Sequence, residues 1–461
     1  MFQNKNKVPN FYQENADISM SLAADASHVP SGRQKIGLTM IGLGLCALLV
    51  SFLGVGQMQP LLMLCLVSGL LGIGGLLYGY EQYRGRIAGI KNNGVMFGDM
   101  TARGALAWVT AVVVTGFYVL LYWYSSYLEG LIRMMDPLSL ALRGKVADQW
   151  FLYGFLYTLA VLVMGAKFIQ KYRHNRYQIY RTISVMIFQL GFAFLLPAFM
   201  ALMNQPEFYF TYFWPLDSYK MRPDWISGLV SKGGIGLFLI GASAMMTLVA
   251  TPVLTYFYGK RWYCSWVCGC GGLAETAGDP YRHLSDKSLK AWRIERWMIH
   301  LVLVFVTLMT GLLWVNSATQ GQVFGSFSQS FAKWYGFLIA SMFSGVVGVG
   351  FYPIMGSRVW CRFGCPMAAI LGIIQKFYSR FRITTNGGQC ISCGNCSTYC
   401  EMGIDVRAYA QRGQNIVRAS CVGCGICAAV CPRGVLKLEN GPVDAQRKAI
   451  HVRRDAVGIL G

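Results

Sequence analysis

Charge is what this sequence is short of. Charged residues fill 13% of its 461 positions, and only 20 of them are acidic against 41 basic. A soluble domain carries about twice that share, so an ordinary water-soluble fold is excluded. Histidine is scarce as well: His28, His174, His283, His300 and His451 are the five. Only His300 falls within a long apolar run, which leaves no opposed pair for an intramembrane bis-histidine haem, and no CxxCH offers covalent attachment. The G-x-G-x-x-G fingerprint of dinucleotide folds is missing too. Haem, flavin and nicotinamide are therefore not expected on this chain.

Apolar residues are plentiful, at 54%. Eight runs are long enough to cross a hydrocarbon core, which takes roughly 20 residues. They lie near 36–56, 60–80, 105–127, 150–170, 182–203, 233–257, 297–315 and 335–355. The first two are joined only at Gln57, Met58 and Gln59 and so form a hairpin. Residues 1–34 lack the apolar core and cleavage site of a signal peptide and read as a flexible tail.

The loops between these runs differ in charge. One alternating set holds Arg84, Arg86, Lys91, Arg103, Lys171, Arg173, Arg176, Arg181, Lys260, Arg261, Arg282, Lys287, Lys290, Arg293 and Arg296. The other holds Arg133, Arg143, Lys145, Lys220, Arg222, Lys232 and Lys333. Cytoplasmic loops retain Lys and Arg, so the first set is expected inside, and an even number of spans puts both termini there. The expected location is the bacterial inner membrane. The formal charge of +21 follows largely from these flanks along an anionic leaflet. No basic stripe interleaved with aromatics appears elsewhere, which excludes nucleic acid as a partner.

Fifteen cysteines are present. Eight form two consecutive CxxCxxCxxxC runs: Cys390, Cys393, Cys396 and Cys400, then Cys421, Cys424, Cys427 and Cys431 before Pro432. Two-cluster ferredoxins use this spacing, with the fourth cysteine of each run completing the other cube. One 4Fe-4S cluster is expected on Cys390, Cys393, Cys396 and Cys431, and a second on Cys421, Cys424, Cys427 and Cys400. Gly394, Gly423 and Gly425 leave room for the tight loops. Zinc knuckles are the rival, but they separate two CxxC pairs and need no third and fourth cysteine at these offsets. Disulfides fit less well in a reducing compartment. Glu401 stands after Cys400 where proline is usual.

A second pair of motifs follows the sixth and eighth runs: GKRWYCSWVCGCGG with Cys264 and Cys268, and GSRVWCRFGCPMAA with Cys361 and Cys365. Gly259, Arg261, Cys264 and Cys268 correspond to Gly356, Arg358, Cys361 and Cys365, an internal repeat. Cysteines four apart share a helical face, so four thiolates are expected to converge at the inner face. Three readings stay open: a metal or third iron–sulfur centre, a redox-active thiol group, and packing. Cys270 either joins the first site or is idle, and Cys46 and Cys65 are expected in the core.

Paired CxxxC motifs at helix ends, the second running into Pro366, followed by a two-cluster ferredoxin, resemble the membrane polyferredoxin family. That family includes the quinol-oxidising subunit of periplasmic nitrate reductase systems, the nitrous oxide reductase maturation protein and the cbb3 oxidase accessory protein. The resemblance covers roughly residues 182–440, and Gly269 stands in place of the first motif's proline. The expected fold class is an all-α polytopic membrane protein of eight helices with a small C-terminal α+β ferredoxin domain. Its divisions would be a tail at 1–34, a four-helix region at 35–181, the polyferredoxin core at 182–375, the ferredoxin domain at 376–440 and a tail at 441–461. The resemblance implies a redox subunit exchanging electrons between the quinone pool or a cytoplasmic donor and a respiratory partner protein, with lipid around it. By its position near the inner interface, His300 is expected first as a hydrogen-bonded core histidine, with a quinone head group or a supporting contact to another site residue as its other reading. The alternative is a factor that reduces or delivers copper for a respiratory oxidase or reductase, since soft thiolates select monovalent copper.

Overall fold

A computed structural model describes residues 30–54, 59–84 and 101–441. The tail before residue 30, Gln57 and Met58, Arg86 and Lys91, His28 and His451, and the tail after 441 lie outside the described residues. Among the described residues, eight helices are long and apolar enough to span a membrane: α1 Gly32–Phe52, α2 Pro60–Tyr83, α3 Ala105–Trp123, α4 Gln149–Lys171, α5 Arg176–Leu202, α6 Gly234–Tyr258, α7 Leu289–Ala318 and α8 Ser326–Gly350. A shorter apolar helix, α9 Pro366–Phe377, follows. Beyond it β1 Phe381–Thr385 pairs antiparallel with β2 Leu436–Asn440, Phe381 opposite Asn440.

Side-chain caps start several spans. Asp148 accepts from the Phe151 amide ahead of α4, Asn175 from Gln178 ahead of α5, and Ser288 from Ala291 ahead of α7. Each satisfies an amide that a helix start leaves unpaired. The 30 residues of α7 extend about 45 Å at 1.5 Å per residue, more than the roughly 30 Å of a hydrocarbon core. The excess carries its first turns out among the polar segments that follow α6 and α8, where Glu295 meets Arg362.

Small residues set the closest helix contacts, as they do where apolar surface gives no advantage over lipid. A Cβ on Gly74 would lie 2.9 Å from the Gly37 carbonyl oxygen, so α1 and α2 nearly touch backbone to backbone. Gly75 and Gly79 admit Val163 and Lys167 of α4 in the same way. Leu43, Leu62, Val112, Leu237, Leu301 and Leu308 point outward and are exposed, as lipid-facing positions should be. Cys46 and Cys65 are exposed too, correcting the expectation of core positions.

The segments after α6 and α8 turn back into the bundle. Along α5, Gln178 binds the Cys424 carbonyl, Ser184 the Trp266 carbonyl, and Gln189 lies against Gly269. Eleven residues of helix separate the first and last contacts, about 16 Å of rise. The first CxxxC segment therefore reaches about halfway along α5, deeper than the helix ends at which the spacing placed it. From the opposite end the loop after α5 also dips inward, and its Thr211 carbonyl accepts from the Tyr263 hydroxyl at 2.7 Å. Irregular backbone at this depth is tolerated because protein, not lipid, surrounds it.

Candidate iron–sulfur sites and the thiol quartet

The ferredoxin module folds as its glycines require. Gly394, Gly423 and Gly425 have φ of 84°, 65° and 74°, the left-handed region that side chains avoid. Cys396 has Cys393, Cys431 and Cys390 as thiol neighbours, and Cys390, Cys393, Cys396 and Cys431 together wall one small cavity. Cys427 has Cys424, Cys421, Cys400 and Cys396 as its neighbours. The chain thus gathers the thiols into two groups of four, with Cys396 close to both. Burial pushes the Cys421 thiol up to about 11 and those of Cys396 and Cys424 up to about 12. Crowded thiols of this kind ionise when a cation is at hand, so the donor set and the enclosed space suit an iron–sulfur cube.

The second group faces the bundle and is tied to it. Gln375 of α9 donates to the Cys421 carbonyl at 2.7 Å and to that of Arg418 at 2.8 Å, and accepts from the Lys260 amide at 2.7 Å. Ser265 donates to the Val422 carbonyl and Tyr177 to that of Gly423, both at 2.9 Å. Cys390 and Cys393 of the first group are only partly buried.

The CxxxC thiols converge, but not along one helical face. Cys264 ends a single turn at Arg261–Cys264, and Cys268 caps the next helix, Gly269–Thr276, in extended conformation. Cys365 likewise caps α9, its sulfur accepting from the Ala368 amide at 3.4 Å. Each motif thus spans a helix break, and Gly259 and Gly356 end the preceding helices at φ of 67° and 91°. Cys365 has Cys361, Cys264 and Cys268 as its thiol neighbours, and all four are buried. Cys270, partly buried, lies beside Cys268 at the edge of this group. The repeat's arginines diverge: Arg261 stacks over Phe381, 4.5 Å from the ring centre, whereas Arg358 donates to the Cys361 sulfur at 3.5 Å.

Glu401, the departure from the ferredoxin pattern, is a fastening point that spacing could not reveal. Its buried carboxylate pairs with Arg282 at 2.6 Å and Arg358 at 3.0 Å. Arg358 and Arg181 in turn engage Glu275, and Arg282 and Lys171 each engage Asp279 at 2.7 Å. Lys171, Arg181 and Arg282, read from sequence as lipid-flanking loop charges, are buried here. The carboxylate oxygens of Glu275 and Glu401 lie within 4.8 Å of the Cys424 sulfur, so this lattice borders the second thiol group. Because both carboxylates already face arginines, it reads as a structural clamp and not as a further metal site.

On the far side of the quartet a cleft of about 460 Å³ opens between α4 and α5. Charged Arg143, Lys145, Asp148 and Glu207 and polar Tyr153, Tyr157, Gln189 and Tyr212 line it. The Gln189 side-chain oxygen is buried without a hydrogen-bond partner. A Cβ on Gly269 would lie 2.4 Å from the Tyr212 hydroxyl and 2.7 Å from that oxygen, which explains why glycine stands where the second motif has Pro366. His300 is half-buried on α7 and lines neither this cleft nor the thiol groups. Gly269→Ala is expected to destabilise the protein by about 1–3 kcal/mol, the usual cost of overpacking. Tyr212→Phe should recover part of that loss, and a double-mutant cycle on thermal unfolding measures the coupling.

Two family models match. A 4Fe-4S dicluster domain covers residues 389–436, and a 4Fe-4S binding domain matches twice, at residues 241–288 and 335–384, each time over one CxxxC motif. Over 185 residues the chain is 28% identical to YccM of Escherichia coli (strain K12), named provisionally as an electron transport protein, covering 36% of this chain and 48% of that one. It is 26% identical over 162 residues to the methylamine utilization ferredoxin-type protein MauN of Methylobacillus flagellatus, covering 34% and 55%. It is 22% identical over 182 residues to an uncharacterized protein of Methanocaldococcus jannaschii, covering 38% and 65%. The matched region spans about half to two thirds of these relatives. No solved structure matches the chain. Eight membrane-length helices among the described residues, a two-cluster ferredoxin domain and matches to iron–sulfur models over both cysteine regions make this chain similar to membrane proteins of the polyferredoxin kind.

Proposed function

We propose that this chain is the membrane-anchored electron-transfer subunit of a respiratory or redox complex, exchanging electrons between the quinone pool or a cytoplasmic donor and a partner protein. Cys390, Cys393, Cys396 and Cys431 would hold one 4Fe-4S cluster, Cys421, Cys424, Cys427 and Cys400 a second, and Cys264, Cys268, Cys361 and Cys365 a further centre. Such clusters supply one-electron transfer with little rearrangement. The match of both CxxxC segments to a 4Fe-4S binding model supports iron at the quartet over thiol redox chemistry or packing.

The observation that carries the reading is the placement of the quartet between the ferredoxin module and the α4–α5 cleft. Gln375 links Cys421 to Lys260, four residues before Cys264, and Gly269, next to Cys268, touches Tyr212 and Gln189 in the cleft. Redox-active groups would thus stand in series across half the bundle. Gln189 offers an unpartnered acceptor to the hydroxyl of a quinol. The basic flanks favour a cytoplasmic ferredoxin module with both termini on that side.

Adding a menaquinol analogue to oxidised, oxygen-free protein tests this. Cluster reduction should follow by electron paramagnetic resonance, and Gln189→Leu should slow it about fivefold to tenfold, the worth of one hydrogen bond, with iron content unchanged. Absence of reduction despite a sufficient potential gap would refute quinol as the donor.

A further inference from the structure

A second cleft, of about 620 Å³, opens sideways between α7 and α8 at the ferredoxin end of the bundle. Its polarity is graded. Arg103, Asp286, Lys290 and Arg362 line it at that end, while Ile294 and Met298 continue the same face of α7 toward the bilayer interior, opposite Phe343 and Val347 of α8. Met298 lies eight residues beyond Lys290, about 12 Å along the helix. The ligand this shape fits is an amphiphile with its head at the membrane surface.

The charge at the head end is positive and partly unanswered. Arg362, 3% exposed, donates through Nε to Glu295 at 2.7 Å and through Nη1 to the Asp286 carbonyl at 2.6 Å, while its Nη2 is buried without a partner. Arg103 adopts a left-handed backbone, φ 62°, and donates to the carbonyls of Ile354 at 2.8 Å and Leu284 at 2.9 Å. Among the described residues neither Arg103 nor Lys290 forms an ion pair. The cleft's own carboxylates are engaged: Asp286 accepts from the Ser288 amide and hydroxyl, and Glu401 pairs with Arg282 and Arg358.

We propose that this cleft binds an anionic phospholipid, its phosphate on Arg103, Lys290 and Arg362 and its acyl chains along Ile294, Met298, Phe343 and Val347. Guanidinium groups hold phosphate through paired, charge-assisted hydrogen bonds, and a cytoplasmic leaflet is rich in anionic headgroups. A neutral quinone ring would leave Arg103 and Lys290 without a counter-charge and the Arg362 Nη2 without an acceptor. Arg362 follows Cys361 directly in the chain, so the bound lipid would brace the backbone that carries the quartet.

Native mass spectrometry of the full chain from neutral detergent, titrated with phosphatidylglycerol or phosphatidylcholine, tests the assignment. Phosphatidylglycerol should be retained selectively. Retention should fall about fivefold in Lys290→Gln and about 25-fold in Arg103→Gln/Lys290→Gln, from the usual contribution of a basic residue at an anionic surface. Ile294→Trp should block it by filling the cleft. Lys290 and Ile294 are exposed, so these variants serve if Arg103→Gln does not fold, and unchanged iron content verifies folding. Equal retention of phosphatidylcholine, unchanged binding in the variants, saturation by inorganic phosphate alone, or stoichiometric displacement by a menaquinone analogue would each overturn the proposal.

Discussion

Glu401→Gln is expected to loosen the ferredoxin module from the bundle, at a cost of about 3–5 kcal/mol, the range for removing one partner of a buried ion pair. The reason is the environment of the two arginines left behind. Arg282 and Arg358 are both fully buried, and Glu401 is the carboxylate they share. Burial by itself would raise the Glu401 carboxyl, but the charges of Arg282, Arg358 and Arg181 outweigh it and hold the group below the usual carboxylate range. A depressed acid stabilises the fold above its unfolded value, about 4.3, and that contribution is lost as the pH falls through the lower folded value. Asp279, lowered in the same lattice, acts with the same sign. Acid should therefore release the module from the parent protein below about pH 4, and the variant should already be weakened at neutral pH. Thermal unfolding read through cluster absorbance measures both.

The same substitution has a second readout that packing alone would not move. Glu401 lies within 4.8 Å of the Cys424 sulfur, and removing a negative charge there favours the reduced state of a centre held by that thiol. An upward shift of the midpoint potential in the residual folded protein is the expected result. An unshifted potential in a correctly folded variant would place the cluster elsewhere.

The second large effect is expected at the quartet. Replacing Cys264, Cys268, Cys361 and Cys365 together by serine should lower the iron of anaerobically purified protein from about twelve to about eight per chain, the content of two remaining cubes. The ferredoxin signal should persist, because its eight cysteines lie on separate segments. Loss of copper with unchanged iron would instead support the copper-handling alternative. If metal content and quinol reactivity both stay as in the parent, the quartet is packing. In contrast, Cys427→Ser should lose about four irons from the ferredoxin module, since that thiol neighbours Cys421, Cys424 and Cys400.

Local patterns announced much of this protein. Runs of apolar residues mark eight spans because a hydrocarbon core demands about 20 such residues in a row, and the CxxCxxCxxxC spacing marks ferredoxin loops because tight turns with glycine bring thiols together over a few residues. The repeat from Gly259 to Cys268 and from Gly356 to Cys365 was legible for the same reason. Partnerships over long separations were not. Glu401 looked like a flaw beside Cys400, and Lys171, Arg181 and Arg282 looked like surface charges, since nothing in a linear pattern says that Arg282 lies 2.6 Å from a carboxylate 119 residues away.

The sequence by itself determined which eight runs are long and apolar enough to span a membrane and which thiols group by short spacing, because both follow from contacts and lengths within a few turns. Only the tertiary structure decided how deep the CxxxC segment of Cys264 and Cys268 sits, why Gly269 replaces proline, and which charges clamp the module. Those outcomes depend on distant segments folding back into a crowded interior, where buried charges and backbone must find partners.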